Sequence, residues 1–432
     1  MPDLAATSVL ADPSEAISAS RRGMLAFVGR VFLLATIPFS LLWVPLARVP
    51  GVGNVVAGDV AQIGLWVLTL MALLVRGRGD LDLGLRTPLI AGLALVIGVL
   101  AGIGADLGRS GPPLLEGMTF MKRFGLSAII PVSAVLFGSS GMGRWTRALT
   151  AIMIAVLVAF TFDPTLQDWL PRPENWDADI FASEQRATGS VTNPNDLAYA
   201  SVALFILHAA FLPRRAGFLD RLLLVAALAG SATCLISSGS RSGVMGAAGA
   251  LLFVVLTSSL RIRVKVGLLL AAWLAVVAGL SYSVVFDRRL SGAYREGFSE
   301  ENISSRLSGQ WLALRTTFER PFGVGYAGIA RASSRETSIL QYGTSDSVYF
   351  DTLLGAGILG LLSLLVLFRF GWRHIAVARP PDDPRAHVLK AGVVAFLLFG
   401  SATVVPISIF LSPLFFQLIG AASYPDPDDH AC

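Results

Sequence analysis

The chain has 432 residues, of which 54% are hydrophobic and only 15% are charged, and its mean hydropathy is +0.67. Soluble domains are about 45–50% apolar and about 25% charged, so this composition excludes a water-soluble fold. The two cysteines exclude a disulfide framework and a Cys-based zinc site. The net charge of +5 follows from the membrane topology described below and does not indicate a nucleic-acid partner.

Apolar runs recur along the whole chain, each of roughly 17–24 residues and long enough to cross a bilayer as a helix. They lie near 27–47, 58–75, 88–105, 124–140, 147–163, 196–212, 221–238, 242–258, 266–285, 347–368, 388–404 and 405–420. The last two runs are interrupted by Pro406 and Pro413. The pattern predicts an all-α integral membrane protein with about twelve transmembrane helices.

The distribution of basic residues predicts the orientation. If the N-terminus is cytoplasmic, the inner segments carry more than twice as many Lys and Arg residues as the short outer segments. Because cytoplasmic loops are enriched in Lys and Arg, both termini are predicted to be cytoplasmic. Residues 1–23 and 421–432 are then cytoplasmic tails that flank a polytopic membrane domain at 24–420, and the expected location is a bacterial inner membrane.

Two outer segments, about 164–195 and 286–346, are longer than the other connections. Long loops without secondary structure are uncommon unless they have a function. These two segments are therefore expected to be larger periplasmic loops.

Arg241 stands out because short outer segments should be poor in cations. It lies in the small polar turn Ser237-Ser238-Gly239-Ser240-Arg241-Ser242-Gly243, between two apolar runs. A guanidinium beside hydroxyls and accessible backbone amides suits an anionic group such as phosphate. The structural alternative is an interfacial arginine whose charged end reaches water.

Polar residues also precede the sixth predicted span. Arg186 lies on the outer side, and Asn193-Pro194-Asn195-Asp196 is a turn and helix-capping signal. A simple helix start explains Asn195 and Asp196, but it does not explain Arg186.

The second long loop and the start of the tenth span supply the remaining candidates. Arg306 and Trp311 lie on an amphipathic stretch, and Asp346 and Tyr349 lie where the tenth span begins. Asp351 is expected at membrane depth, where an unpaired carboxylate is costly, so it should pair with an arginine or line a polar cavity.

Topology predicts that these residues meet at the outer membrane surface, where several arginines and carboxylates suit a lipid-linked anionic substrate. None of the four histidines, His208, His374, His387 and His430, lies in a predicted outer loop. No metal site and no cofactor are predicted.

Over residues 186–360 the chain resembles the O-antigen polymerase/ligase (Wzy/WaaL-like) family of bacterial inner-membrane glycosyltransferases. The resemblance rests on five short motifs in the family's order. They are Gly189 with Asn193-Pro194-Asn195-x-Leu197-Ala198; Gly239-Ser240-Arg241-Ser242; Arg306-x4-Trp311; Pro321-x-Gly323-x-Gly325; and Tyr349-Phe350-x2-Leu353-x3-Gly357-x2-Gly360.

The resemblance implies a metal-independent glycosyltransferase acting on an oligosaccharide carried by undecaprenyl pyrophosphate. Arg241 and Arg306 are then expected to stabilise the leaving pyrophosphate, with Arg186 as a third candidate, and Asp346 to act as general base. Expected substrate contacts come from Asn193, Asn195, Ser240, Trp311, Tyr349 and Asp351. Packing is an equal alternative for the two aromatic residues.

The resemblance also bears on the type of transfer. Ligases of the family resemble each other in having His-Asn where this chain has Asp346-Ser347, and relatives that polymerise repeats more often have Asp there. A polysaccharide polymerase, working in the bilayer beside a chain-length regulator, is therefore the first expectation. The alternatives are an O-antigen ligase, a protein O-oligosaccharyltransferase or, less favoured, a twelve-helix transporter.

Overall fold

A computed structural model describes most of the chain, namely residues 13–42, 44–49, 53–76, 83–107, 125–163, 165–166, 190–191, 194–213, 216–258, 261–267, 300–325, 347–401 and 412–425. Helices dominate these ranges. Their bounds are α1 Pro13–Leu41, α2 Ala57–Arg76, α3 Leu83–Leu107, α4 Ile130–Phe137, α5 Met142–Phe162, α6 Pro194–Ala210, α7 Phe218–Ser237, α8 Arg241–Thr257, α9 Glu300–Glu319, α10 Val348–Ala378, α11 Pro384–Gly400 and α12 Ser412–Gly420.

The helical membrane architecture is confirmed. Within the described ranges, five helical segments are long and apolar enough to span a bilayer, namely Gly23–Leu41, Ala57–Val75, Met142–Phe162, Phe218–Ser237 and Val348–Ala378. Shorter apolar helices occur at Leu85–Ala94, Gly125–Phe137 and Arg241–Thr257. The number of twelve spans stays a prediction, because the ninth run, 266–285, lies almost wholly outside the described residues and α12 has only nine residues.

The predicted C-terminal end of the first span is wrong. The sequence predicts helix to residue 47, but α1 ends at Leu41 and the chain enters a two-stranded antiparallel hairpin of β1 Pro45–Val49 and β2 Gly53–Val56. Proline cannot donate the helical hydrogen bond, so Pro45 favours the change from helix to strand. The backbone N–H of Ala57 donates to the carbonyl of Val44 and connects the hairpin to the start of α2.

Helix α6 lies at the centre of the described bundle. Nearly all of its side chains are buried, which explains why its sequence is apolar all round rather than amphipathic. Beside it, aromatic rings from α10, α11 and α12 form the densest part of the core. Phe396 stacks on Phe415 with ring centroids 3.9 Å apart, and Phe368 contacts both rings edge to face.

Side-chain contacts group the helix termini into two opposite ends. At one end, here called the Ser240 end, lie the C-termini of α1 and α11 and the N-termini of α6, α8 and α10. At the other, the Arg379 end, lie the C-termini of α6 and α10 and the N-termini of α5, α7 and α11. Arg147 at the start of α5 pairs with Asp220 at the start of α7 there.

Residues after α12 belong to the packed fold at the Arg379 end. Tyr424 is fully buried, stacks on Phe211 and donates its hydroxyl hydrogen to Gln417 Oε1 at 3.2 Å. The guanidinium of Arg379 donates to the carbonyls of Ala422 and Tyr424. The expected tail from residue 421 thus begins with a packed segment, and α1 likewise starts at Pro13, inside the expected N-terminal tail.

Candidate functional site

Serine side chains shape the turn that leads into α8. The hydroxyl of Ser240 caps the helix by accepting a hydrogen bond from the N–H of Gly243 at 3.1 Å, and the N–H of Ser240 donates to Ser238 Oγ at 3.2 Å. Serine in this position satisfies one of the amides that a helix start leaves without a partner. The turn therefore fixes Arg241 as the first residue of α8.

A hydrogen bond joins this turn to the start of α6. Ser240 Oγ donates to Asn195 Oδ1 at 2.8 Å, although the two residues are 45 positions apart. Ser242 Oγ lies 3.1 Å from Ser240 Oγ. Since Ser240 has one hydroxyl proton and gives it to Asn195, Ser242 is the donor in that second contact. The structure thus brings the predicted residues Asn195, Ser240 and Arg241 together.

Glycines allow α8 to lie close to its neighbours below this turn. A Cβ atom added at Gly243 would lie 2.6 Å from the Cβ of Ala198 on α6. One added at Gly246 would lie 3.0 Å from the carbonyl oxygen of Ala395 on α11. Small residues permit such close approach of transmembrane helices, so they set the position of Arg241 relative to α6 and α11.

The start of α10 packs on the end of α11. Gly400 lies against the side chain of Val348, and the hydroxyl of Tyr349 donates to the carbonyl of Leu397 at 2.8 Å. Asp351 lies in the first turn of α10 with 2% of its surface exposed. The placement of Tyr349 favours helix packing, the alternative to sugar stacking that its sequence position left open.

Tyr199 connects the start of α6 to the end of α11, and sequence reasoning missed it. Its ring contacts Phe396 and Phe399 of α11 edge to face, with centroids 5.4 and 5.2 Å away. Its hydroxyl is buried and has no hydrogen-bond partner in the structure. Residues four apart in a helix lie on one face. Tyr199 is four residues after Asn195, and this spacing was the signal that could have identified it from the sequence.

The Pro321-x-Gly323-x-Gly325 motif forms hydrogen bonds to α10 on both sides of a break in that helix at Gly357. Val324 and Gly325 donate their N–H groups to the carbonyls of Leu354 and Gly355 at 2.8 and 2.9 Å. The N–H of Ile358 in turn donates to the carbonyl of Pro321 at 2.9 Å. Inside a membrane every backbone group needs a partner, and this segment supplies partners that the broken helix lacks.

The hydrogen-bonded contact between residues 321–325 and the break in α10 is here called the joint. Two glycines make it possible. Gly357, at φ 66° and ψ −160°, is the non-helical residue inside α10, and Gly323 has φ 83°. An added Cβ at Gly357 would collide with the carbonyl of Pro321, and one at Gly323 would lie 2.5 Å from the carbonyl of Gly355. Both motif glycines therefore have a structural role.

Helix α9 precedes this joint and packs on α10. Ala313 is fully buried, whereas Trp311 is 68% exposed, so Trp311 is accessible on the helix surface. The backbone at Arg306 belongs to α9, but its side chain lies outside the described part of the structure. Asp346, Arg186 and Asn193 also lie outside the described residues.

An apolar groove of about 770 Å³ begins below the Ser240 turn and runs toward the Arg379 end. Side chains of α6, α7, α8 and α11 line it, from Leu235 and Val244 near the turn to Val254 and Val388. Ser231 is the one polar residue of its lining, and its hydroxyl donates to the carbonyl of Ser201. No cluster of three or more His, Cys, Asp or Glu side chains that would suit a metal ion occurs within the described ranges.

These features define a polytopic α-helical membrane protein with a cationic, hydroxyl-rich site at one end of the bundle. Residues 198–365 match the family model Wzy_C, described as O-antigen ligase. This match confirms the resemblance of the segment to the O-antigen polymerase/ligase family. No curated protein matches the chain. The family consists of membrane glycosyltransferase and ligase enzymes that use lipid-linked oligosaccharides.

Proposed function

We propose that this protein is a polysaccharide polymerase of the bacterial inner membrane. It transfers oligosaccharide repeats from undecaprenyl pyrophosphate to a growing O-antigen or exopolysaccharide chain. The observation that carries the proposal is the hydrogen bond from Ser240 to Asn195, since it fixes Arg241 beside two helix N-termini. A helix N-terminus carries partial positive charge, and an arginine beside it adds a bidentate donor for phosphate oxygens.

The apolar groove supports a lipid-linked substrate. Its upper end, at Leu235 and Val244, lies next to the Ser240 turn. A polyprenyl chain in this groove would leave its pyrophosphate beside Arg241. An apolar lining at membrane depth suits a hydrocarbon chain, whereas a transporter for a polar solute needs polar groups along its path.

The basic residues support an outward-facing site. In the described residues, Arg144, Arg147, Arg373, Arg379 and Arg385 all lie toward the Arg379 end. Under the positive-inside rule, this distribution supports a cytoplasmic location for that end and a periplasmic location for the Ser240 end.

In the proposed reaction, a hydroxyl oxygen of the acceptor sugar forms a bond to the anomeric carbon of the donor. The bond from that carbon to the pyrophosphate oxygen breaks, and undecaprenyl pyrophosphate leaves. Asp346 takes the hydroxyl proton, and Arg241 with Arg306 stabilises the charge that develops on the pyrophosphate. Arg186 and Asn193 are proposed to contact the same substrate, and Trp311 to stack on a sugar ring.

The test is the size distribution of undecaprenyl-pyrophosphate-linked glycans in a strain that lacks the gene. Accumulation of single repeats supports a polymerase, whereas accumulation of long lipid-linked chains identifies a ligase with Asp346 in place of the histidine. No change in either pool contradicts both. Complementation with Arg241→Ala should fail although the protein inserts normally, and Arg263→Ala, near the other end of α8, should restore polymer.

Asp346 has its own test. An Asp346→Asn variant should lose polymerisation, because an amide cannot accept the proton. Full polymerisation by this variant would remove Asp346 as the base while leaving the polymerase assignment intact.

A further inference from the structure

Helix α9 has two apolar faces, and only one of them is covered by the described part of the protein. Gly309 and Ala313 are buried toward the bundle. The opposite face presents a row of large apolar side chains at intervals of three or four residues. These are Leu307, Trp311, Leu314 and Phe318, with exposed fractions of 59%, 68%, 38% and 89%.

This row continues past the end of the helix into the joint with α10. Phe322 is 68% exposed, and it lies between Pro321 and Val324, which are hydrogen-bonded to Ile358 and Leu354. Ile358 and Leu359 are themselves exposed apolar residues of the long span α10. The apolar face of α9 is therefore continuous along the chain with exposed apolar residues of a candidate membrane span.

The joint also fixes the depth of the C-terminal end of α9. Leu354 lies six residues beyond Val348, the first residue of the span, which corresponds to about 9 Å along a helix axis. Interfacial helices bury their apolar face about 5–10 Å into the boundary between headgroups and acyl chains. The hydrogen bonds to Leu354 and Gly355 thus hold Phe318 and Phe322 near that depth.

Charged residues lie along a border of the apolar row, as expected for a helix at the membrane–water interface. Arg315 and Glu319 form an exposed ion pair at 3.4 Å beside Leu314 and Phe318. Tryptophan and other aromatic rings are enriched at the headgroup level of membranes.

We infer that α9 is an interfacial helix whose Leu307–Trp311–Leu314–Phe318 face lies in the lipid headgroup layer at the Ser240 end of the bundle. The occupant of this face is the bilayer itself. The inference rests on the membrane fold and not on the proposed reaction. If that reaction is correct, the same placement holds the backbone of Arg306 at the level where a lipid pyrophosphate lies.

Site-directed spin labelling tests this placement in the full-length protein. Cys234→Ala and Cys432→Ser remove the native thiols, and single nitroxide labels are attached through Leu314→Cys and Phe318→Cys. Arg315→Cys on the charged border and Leu228→Cys, on the exposed surface of α7, are the matched references. The proteins are reconstituted into nanodiscs of phosphatidylethanolamine and phosphatidylglycerol, and accessibility to oxygen and to a water-soluble nickel chelate is measured.

At positions 314 and 318 the ratio of oxygen accessibility to nickel accessibility should be higher than at 315 and lower than at 228. Nickel access at 318 equal to that at 315 would show that the face is in water and would overturn the inference. Low access to both reagents at 314 and 318 would show that protein covers the face, which overturns it as well. The two label sites are independent, so a folding defect in one variant leaves the other to decide.

Discussion

The carbonyl oxygen of Pro321 accepts a hydrogen bond from the N–H of Ile358 at 2.9 Å, inside helix α10, whose own hydrogen-bond ladder is interrupted at Gly357. This contact ties the segment after α9 to the first third of α10. It explains why the glycines of the family-like motif lie at these positions. Replacing these glycines should therefore destabilise the fold rather than act directly on the proposed transfer reaction.

Gly357→Ala should destabilise the protein by at least about 2 kcal/mol, because a side chain is strained at this φ and ψ and would collide with Pro321. Thermal unfolding in detergent, followed by size-exclusion chromatography, measures the change. Gly104→Ala in α3 is the control, since an added Cβ there meets no atom within 4 Å. Equal melting temperatures for the two variants would contradict the assigned role of Gly357.

The Ser240–Asn195 hydrogen bond should be detectable as an energetic coupling. Ser240→Ala removes a helix cap and should cost about 1 kcal/mol, and Asn195→Ala should cost a similar amount. The double variant should lose about 1 kcal/mol less stability than the sum of the two single losses, because both substitutions remove the same hydrogen bond. Additive losses would show that the two side chains act independently.

Tyr199, which is buried, and Tyr349, which is half-buried, should respond differently to loss of the hydroxyl. Tyr349→Phe removes a hydrogen bond to Leu397 and should destabilise the protein by about 1 kcal/mol. Tyr199→Phe removes a buried hydroxyl that has no partner and keeps its ring contacts, so stability should stay equal or rise. A large loss of stability in Tyr199→Phe would mean that the hydroxyl is hydrogen-bonded in the membrane.

Polymer formation by Tyr199→Phe provides a second measurement. Normal polymer with unchanged stability would identify Tyr199 as packing between α6 and α11. Loss of polymer with unchanged stability would give its hydroxyl a role at the proposed site.

Arg379 should be a strong stabilising residue at the opposite end. It is 8% exposed, pairs with Asp383 at 3.6 Å and donates to two carbonyls of the segment after α12. Arg379→Ala should therefore cost about 3 kcal/mol, since it leaves Asp383 buried without its cation. Arg315→Ala, which breaks an exposed pair, should change stability by less than about 0.5 kcal/mol. Similar melting temperatures for both would refute the packing role of the C-terminal segment.

The apolar runs predicted most of the observed helices, because lipid leaves few alternatives to a helix for an apolar run of this length. The local signals were also sufficient to place Ser240 and Arg241 at a helix start, since capping depends on neighbouring residues. The helix was predicted to extend through Pro45, where the structure has a hairpin. Of the predicted run at 405–420, the structure describes α12, Ser412–Gly420, which is followed by a turn that packs in the core.

Sequence alone thus determined the membrane class, the resemblance to the family and the identity of Asn195, Ser240 and Arg241 as candidates, because hydropathy, capping and motif spacing are local properties. The tertiary structure decided which of these residues meet. It showed that Tyr199 packs between α6 and α11, that Tyr349 binds α11 and that Gly323 and Gly357 close a joint. Those relationships depend on contacts between residues far apart in the chain, and no local pattern specifies them.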